Sequence, residues 1–402
     1  MSKPSKLSPR KQLYLLTCVH AVVDTYATVF PHVLPILLKK LVPQTSARNS
    51  YAGVLISVFS NFGSLGQLPF GWLSDRVRTV HFLTFGIAVS AAGMSMLGIA
   101  PTILMLVLLV AIGGSGIAAF HPQATAQSAA LSKHNTGFGV SLFLMGGNFG
   151  RAAGPLAIMY LLVYTYGIES MAWCMIPGLL VAVLVPNTLK MPYTVPAMSP
   201  QRGFGAPTLP EKQKDVWRVT RPNLRIFVVL YIIAVMRTIT AIGFENFLSL
   251  HLDDHQYSNA ARSAVIALFL IAGSIGIIIG GWLSDRINRY GLLLFSLLAA
   301  PPFLYASLHS AGGIFLILLF TGNCVLSSSI TVNIVLGQRL LPERENIASG
   351  VMMGAAWGVG GLLITPVGVL SDYFGLPIVL DGLAMLPLVT AVLMLFLQRG
   401  QN

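Results

Sequence analysis

Twelve long apolar runs dominate this chain of 402 residues and decide what it can fold into. Each run has about the length that an α-helix needs to cross the hydrocarbon core of a bilayer, roughly 20 residues. Only helices satisfy their own backbone polar groups in lipid over such lengths, and the runs lack the alternation of a barrel strand. The predicted spans are 12–38, 52–73, 80–100, 102–124, 138–165, 168–187, 224–250, 262–283, 291–309, 312–336, 348–370 and 376–397.

The composition excludes the soluble protein classes. Hydrophobic residues make up 55% of the chain and charged residues only 9%, against about 25% charged residues in a soluble domain. The net charge of +12 comes from short basic clusters between the apolar runs, whereas a nucleic-acid-binding protein presents a continuous basic face. We therefore expect an all-α membrane protein whose surroundings are a lipid bilayer, with no nucleic-acid partner.

The distribution of basic residues predicts the orientation in the membrane. One set of loops, which includes both termini, carries 19 of the 25 Lys and Arg residues, and the other set carries 4. Cytoplasmic loops are the ones enriched in Lys and Arg, so we expect cytoplasmic termini in a cell inner membrane. A stretch rich in Pro, Gly and Lys predicts three units: an N-terminal bundle at 1–190, a cytoplasmic linker at 191–222 and a C-terminal bundle at 223–402.

The two halves repeat each other. The hexapeptide Gly-Trp-Leu-Ser-Asp-Arg occurs at Gly71–Arg76 and again at Gly281–Arg286, an offset of 210 residues. A second set of matches has an offset of 211: Gly139, Gly150 and Pro155 correspond to Gly350, Gly361 and Pro366. Two six-helix bundles related by a pseudo-twofold axis form a transporter architecture, with the site near the membrane midplane between the halves.

These motifs resemble those of the major facilitator superfamily. The repeated hexapeptide is similar to that family's loop signature, and Gly150–Pro155 resembles the Gly-x-x-x-Gly-Pro motif of helix 5, typical of its antiporters. The fosmidomycin-resistance branch is a closer match, through His20-x-x-x-Asp24, Phe120-His121-Pro122, Gly146–Gly150 and Leu340-Leu341-Pro342. The resemblance implies a twelve-helix transporter that exports a drug-like solute, and fosmidomycin itself is a phosphonate.

The resemblance has departures. The first loop signature has Arg78 and Thr79 in place of its second Gly and the basic residue that follows, and the second signature has Asn288 at that Gly. Many drug antiporters of the family carry an Arg in the middle of helix 4, but the region around Val110 has none. A proton mechanism that depends on that Arg therefore does not transfer to this chain.

Asp24 is the leading candidate for proton coupling. It lies near the middle of the first span, where a charged side chain costs roughly 2.5–3.5 kcal/mol on insertion scales. His20 is one turn away on the same helix face and could share the proton. Glu245 is the other carboxylate at comparable depth, and we include it in the proton-coupling set. The alternative for Asp24 is a structural hydrogen bond to a neighbouring helix.

Arg151 and Arg237 are candidates for substrate binding. Both fall within spans, and neither guanidinium loses its proton at physiological pH. They could close an ion-pair network with Asp24 and Glu245, or one of them could bind an anionic group such as a phosphonate or a carboxylate. Asn148, three residues before Arg151, would face the same interior and contact either the substrate or a neighbouring helix.

The repeated hexapeptide predicts a gate between the halves. Glycines allow helices to approach closely, and the aspartates could pair with helix ends across the interface. The alternative is that these residues only set topology through positive charge. The gating candidates are Gly71, Asp75, Arg76, Gly281, Asp285, Arg286 and His121, the last expected at the cytoplasmic end of helix 4; Gly150, Gly154 and Pro155 are candidates for helix packing.

We therefore predict a secondary active transporter. Specifically, we predict a proton-coupled antiporter that exports a small organic solute, which could be an anion, by alternating access. No phosphate-binding loop, catalytic triad or His-Glu-x-x-His motif is present, so we expect neither an enzyme nor a cofactor or metal requirement. The expected partners are a small-molecule substrate and protons, and the expected state is a monomer. Uptake of an organic anion or a metal complex is an alternative, and so is a non-transporting receptor with this fold.

Overall fold

A computed structural model describes residues 7–42, 48–77, 81–132, 135–189 and 224–399. The predicted linker 191–222 lies outside the described residues. Within these ranges the chain forms twelve helices. They are α1 (Pro9–Leu41), α2 (Arg48–Ser60, Asn61–Leu65 and Gln67–Val77), α3 (His81–Ser95 and Met96–Ile99), α4 (Ile103–Leu131), α5 (Thr136–Ile158, Met159–Val163 and Tyr164–Tyr166), α6 (Ile168–Cys174 and Met175–Thr188), α7 (Leu224–Asp254), α8 (Asn259–Ser284), α9 (Arg289–Leu308), α10 (Gly312–Leu340), α11 (Glu345–Ser349, Gly350–Ala355 and Ala356–Phe374) and α12 (Leu376–Arg399).

Ten of these helices, all except α2 and α5, are long and apolar enough to cross a membrane. Three helices contain a turn of π-helix, at Asn61–Leu65, Met159–Val163 and Gly350–Ala355. Such turns are rare and occur frequently at functional sites. The π-turns of α2 and α11 face each other across the interface between the halves.

Short polar side chains cap the N-termini of several helices. The Thr102 hydroxyl accepts a hydrogen bond from the Met105 N–H at 3.2 Å at the start of α4, and the Asn288 side chain accepts one from the Gly291 N–H at 3.0 Å at the start of α9. Capping of this kind satisfies backbone donors that have no partner inside the helix. The Asn at this position of the second loop signature therefore serves as the N-cap of α9.

The helices assemble into two halves with matching contacts. In the N-terminal half (α1–α6), α1 packs against α5 and α3 against α4; in the C-terminal half (α7–α12), α7 packs against α11 and α9 against α10. The main contacts between the halves are made by α5 with α8 and by α2 with α11, which are equivalent pairs under the repeat. The predicted all-α fold of twelve helices in two halves is confirmed.

Glycines allow α1 and α5 to pack at very short distance. A Cβ atom added at Gly146, Gly150 or Gly154 would collide with Thr17, Ala21 or Thr25 of α1, respectively. Each step of four residues on α5 matches a step of four on α1, so the two helices run parallel and stay in close contact over about two turns. Small residues at such positions are the usual means of close helix packing in membranes. Pro155, which follows Gly154, is also buried.

Gly150→Ala should destabilise the protein, because the new methyl group meets the backbone carbonyl of Ala21, which cannot move aside like a flexible side chain. Overpacking of this kind costs about 1–3 kcal/mol, so the midpoint of thermal unfolding of the purified protein should fall. The control is Gly361→Ala at the equivalent position of α11, where the added Cβ has nothing within 4 Å. Equal stability of the two variants would contradict this description of the α1–α5 contact.

Candidate functional site

A cavity of about 250 Å³ lies between the two halves, and both halves contribute to its wall. Its apolar wall includes Ile117, Leu144, Ile277, Ile334 and Met352. Its polar lining residues include His20, Asp24, His121, Asn148, Arg151 and Arg237, together with Thr28, Ser64 and Gln67. All of the first six except His121 were selected from the sequence as proton-coupling or substrate-binding residues, and the cavity brings them together.

Three of these side chains form a buried cluster that we call the His–Asp triad: His20, Asp24 and His121. The His121 Nε2 atom lies 3.0 Å from Asp24 Oδ1 and 3.3 Å from His20 Nε2. The His20 Nε2 atom lies 3.4 Å from Asp24 Oδ2. All three residues are at most 8% exposed, so water cannot separate the charges or screen them effectively.

The hydrogen bonds of the two imidazoles fix their protonation pattern. His20 Nδ1 lies 2.7 Å from the Phe143 carbonyl oxygen, and His121 Nδ1 lies 2.8 Å from the Ile117 carbonyl oxygen. A carbonyl oxygen only accepts hydrogen bonds, so both Nδ1 atoms carry a proton. If both rings were neutral, the two Nε2 atoms would present bare lone pairs to each other and to the Asp24 carboxylate. The triad therefore requires at least one additional cation at its centre to be stable.

A proton or a metal ion could meet this requirement. The donor atoms of His20, Asp24 and His121 all lie within 4.8 Å of one another, close enough to surround a single small cation. In the simplest case His121 is an imidazolium that donates from Nε2 to Asp24. One proton can serve the whole triad, because the acceptor atoms of all three groups lie close together.

The position of His121 differs from the sequence prediction. We expected this residue at the cytoplasmic end of helix 4, in the gate, because the apolar run ends near residue 124. Helix α4 instead continues to Leu131, because a stretch of small and amide residues that is buried throughout extends it. His121 consequently lies inside the bundle and contacts Asp24 rather than the gate.

The two arginines of the cavity have no carboxylate partner among the described residues. Arg237 on α7 is only 3% exposed, and its Nε atom forms no hydrogen bond. Arg151 on α5 extends towards the other half and lies over the Trp357 ring of α11, with its Cζ atom 5.1 Å from the ring centroid. The ion-pair network that was the alternative for these residues is not formed, since the Asp24 carboxylate is taken by the triad.

Glu245 and Asn148 differ in their relation to the cavity. Glu245 is partly buried on α7, but it does not line the cavity and no described hydrogen bond or ion pair joins it to Arg237 or to the triad. Asn148 lines the cavity and donates a hydrogen bond from Nδ2 to Ser274 Oγ of α8 at 3.1 Å. Of its two possible contacts, the one with a neighbouring helix is present.

The two repeated hexapeptides lie at the same end of the bundle, which we call the signature end. There Asp75 at the end of α2 accepts hydrogen bonds from the first turn of α11: from the Ile347 N–H at 3.0 Å, the Asn346 N–H at 3.2 Å and Asn346 Nδ2 at 2.7 Å. A carboxylate at a helix N-terminus is favoured by the backbone donors and by the helix dipole. A Cβ at Gly71 would lie 2.8 Å from the Asn346 carbonyl oxygen, so this glycine permits the approach of the two helices.

Asp285 makes the equivalent contact from the C-terminal half. It accepts hydrogen bonds at 2.9 Å from the Gly137 and Phe138 N–H groups in the first turn of α5. It also accepts a hydrogen bond from Arg289 on its own half at 3.0 Å. Gly281 lies against Gly137, where an added Cβ would collide with its carbonyl oxygen. The halves are thus joined at the signature end by two similar carboxylate–helix contacts.

Asp75 lies beyond the predicted span 52–73, and opposing effects act on the pKa of its carboxyl group. Burial raises the pKa of the Asp75 carboxyl above its ordinary value, while the N–H donors of Ile347 and Asn346 and the nearby Arg344 act in the opposite direction. Removing this carboxyl from water is the larger effect.

The two signature arginines do not take part in these contacts. Arg76 lies over the ring of Trp72 and Arg286 over that of Trp282, with Cζ-to-centroid distances of 3.6 and 4.0 Å. Both arginines are exposed. That they form part of the gate stays a prediction, since each contacts a tryptophan of its own half and no described hydrogen bond or ion pair joins it to the other half.

Comparison with known proteins adds the following findings. The sequence profile of the Major Facilitator Superfamily matches residues 16–365. The fosmidomycin resistance protein of Escherichia coli (strain K12) is 28% identical over 361 residues, which cover 87% of this chain and 84% of that protein. An uncharacterized MFS-type transporter of Bacillus subtilis (strain 168), YfnC, is 25% identical over 97% of this chain and 93% of its own length.

Solved structures show the same fold at low sequence identity. The fucose:proton symporter FucP of E. coli superimposes with a TM-score of 0.75 at 15% identity, covering 95% of this chain and 98% of that chain. The proton:xylose symporter XylE gives a TM-score of 0.69 at 15% identity, covering 96% of this chain and 94% of that chain.

Arg237→Met should stabilise the protein in the absence of any bound solute. The substitution replaces a buried guanidinium that has no described carboxylate partner with an apolar side chain of similar length, and we expect a gain of about 1–3 kcal/mol. Thermal unfolding of the purified protein measures this gain, and Arg286→Met, at an exposed arginine, should change little. A clear loss of stability in Arg237→Met would show that the guanidinium has a structural role.

Proposed function

The chain belongs to the Major Facilitator Superfamily, and we propose that it is a proton-coupled antiporter that exports a small organic anion by alternating access. The broader statement, a multi-pass membrane transporter that is not an enzyme, follows from the family and the fold. The proposal rests on one cavity. In it, a triad that needs a proton lies beside two arginines that have no carboxylate partner among the described residues.

The His–Asp triad supports proton coupling. Its two Nδ1 atoms are committed to backbone carbonyl groups, so only the shared position among the two Nε2 atoms and the Asp24 carboxylate can change occupancy. Such a group exchanges a proton when water reaches it from one side of the membrane and then from the other. Intramembrane carboxylate and histidine groups of transporters commonly serve this purpose.

Arg151 and Arg237 support an anionic substrate. The guanidinium group matches the geometry of phosphonate and carboxylate oxygens, and Arg237 is buried with no carboxylate partner in the described part of the chain. The E. coli relative is named as a fosmidomycin resistance protein, and the phosphonate expected from that resemblance is such an anion. The apolar residues of the cavity wall would contact the rest of the solute.

The contacts at the signature end support alternating access. With Asp75 and Asp285 bound to helix starts on the opposite halves, the cavity is closed at that end. Breaking both contacts would open it, as two halves rock about a fixed site. We further propose that this end faces the cytoplasm of an inner membrane, together with both termini, because 19 of the 25 basic residues belong to its loops, and that the protein acts as a monomer.

One observation favours a second candidate, uptake of an organic anion together with a proton. An anion held at Arg151 would lie in the same cavity as the triad, and its charge would favour a bound proton there rather than compete with it. Antiport requires competition, whereas co-transport requires such cooperation. The direction of coupled proton movement in proteoliposomes separates the two candidates.

Asp24→Asn should abolish proton coupling, because the amide removes the carboxylate that shares the proton with His121. Proteoliposomes with an internal pH dye should show solute-driven proton flux with the original protein and none with the variant, while solute exchange at equal pH on both sides persists. The control is Glu245→Gln, which removes a carboxylate outside the cavity and should keep coupling. Unchanged coupling in Asp24→Asn would reject the role of the triad.

Removing both gate carboxylates, with Asp75→Ala and Asp285→Ala, should open the signature end. Each substitution removes hydrogen bonds between a carboxylate and N–H donors, worth about 1.5–3 kcal/mol each, so the population should shift more than about tenfold. Distances between spin labels placed on the two halves at this end measure the shift. Asp381→Ala, at a carboxylate near the opposite end, is the control, and an unchanged distance distribution in the double variant would contradict the gate.

A further inference from the structure

We propose that the two Trp–Arg pairs of the repeated hexapeptide, Trp72 with Arg76 and Trp282 with Arg286, each bind the phosphate group of an anionic phospholipid in the leaflet at the signature end. This inference does not depend on the transported solute or on the coupling ion. It concerns side chains that the gate and the cavity leave unused.

The first observation is the geometry within each pair. Residues four positions apart lie on the same face of a helix, and in the two copies the guanidinium Cζ lies over the indole ring, 3.6 and 4.0 Å from its centroid. An arginine attracted to the face of a tryptophan ring is held in place, with the edge of its N–H fork still free to donate. Arg286 uses only one of these donors, in a 3.0 Å hydrogen bond to the Trp282 carbonyl oxygen.

The second observation is that neither arginine has a carboxylate partner among the described residues. Neither Arg76 nor Arg286 pairs with a carboxylate in the part of the chain that the structure describes, and both are exposed. The aspartate beside each arginine, Asp75 or Asp285, is occupied by the first turn of a helix from the other half. The contact between the halves therefore accounts for the aspartates and leaves the arginines without a described ion pair.

The third observation is the surface on which the pairs lie. Trp72 and Trp282 are 43% and 46% exposed, and their exposed neighbours along the chain, such as Val77 and Ile287, are apolar. A surface of this kind at the end of a spanning helix faces lipid at the level of the headgroups, where tryptophan is enriched. The arginine, one turn further on, reaches the depth of the phosphates.

The charge of the surrounding loops and the internal repeat indicate which ligand binds the two Trp–Arg pairs. The loops at this end carry 19 of the 25 basic residues of the chain, so an anionic lipid is favoured over a zwitterionic one. The same pair occurs once in each half, at equivalent positions under the repeat. A lipid leaflet reaches both positions at once, whereas a protein partner would have to bind twice in the same manner.

Native mass spectrometry of the purified full-length protein, released from detergent containing phosphatidylglycerol or phosphatidylcholine, tests the proposal. The original protein should retain two more phosphatidylglycerol molecules than the double variant Arg76→Gln with Arg286→Gln, and each single variant should lose one. Titration should show binding about fivefold weaker at each altered site. Phosphatidylcholine retention should be the same in all variants.

Controls separate the site from general electrostatics. Arg262→Gln removes the same charge at the opposite end of the bundle and should retain all the phosphatidylglycerol. Trp72→Leu with Trp282→Leu keeps both charges but removes the stacking surface, and should lose the two lipids; these substitutions also test the site if the arginine variants fold poorly. Soluble glycerol phosphate in excess should not displace the lipid.

Three results would overturn the proposal: full retention of phosphatidylglycerol by the double arginine variant, an equal loss in Arg262→Gln, or displacement by glycerol phosphate. The last result would show that the pairs are sites for free phosphate rather than for a membrane lipid.

Discussion

The structure depends on keeping a few ionisable groups away from lipid while leaving them usable. An isolated charge in an apolar interior is costly unless other groups compensate it. The fold meets this requirement by placing Asp24, His20 and His121 at the interface between two helical halves, where each imidazole is anchored to a backbone carbonyl group. Arg237 is the exception, since it is buried in the same interface with no carboxylate partner among the residues that the structure describes. This uncompensated charge is the basis on which an anionic substrate is proposed.

The two halves have equivalent helix contacts but contribute different side chains to the cavity. The equivalent helix pairs α1–α5 and α7–α11, and the equivalent contacts of Asp75 and Asp285, follow the internal repeat. The triad, in contrast, comes entirely from the N-terminal half, and the C-terminal half contributes Arg237 and Trp357 to the cavity. The contacts between the halves therefore follow the repeat, whereas the polar lining of the cavity does not.

The sequence predicted the parts of this arrangement that depend on local periodicity or on repetition. The fold follows from the lengths of the apolar runs, and the proximity of His20 to Asp24 follows from their spacing of one helical turn. The contact of His121 with Asp24 could not be predicted, because it joins α1 to α4 and because hydropathy ends the fourth span near residue 124, short of Leu131. The contact of Arg76 with Trp72 could not be predicted either. The hexapeptide gives the order of its residues but not which face of α2 contacts the other half.

The parallel contact of α1 with α5 has a mechanical consequence. Because Gly146, Gly150 and Gly154 let the two helices pack at very short distance over about two turns, Asp24 on one helix and Arg151 on the other belong to one tightly packed helix pair. If the two halves rock against each other, the separation of Asp24 from Arg151 would stay constant, while that of Arg151 from Arg237 on the opposite half would change. The distance between the two guanidinium groups would then depend on the size of the bound solute, whereas the distance from Asp24 to Arg151 would not.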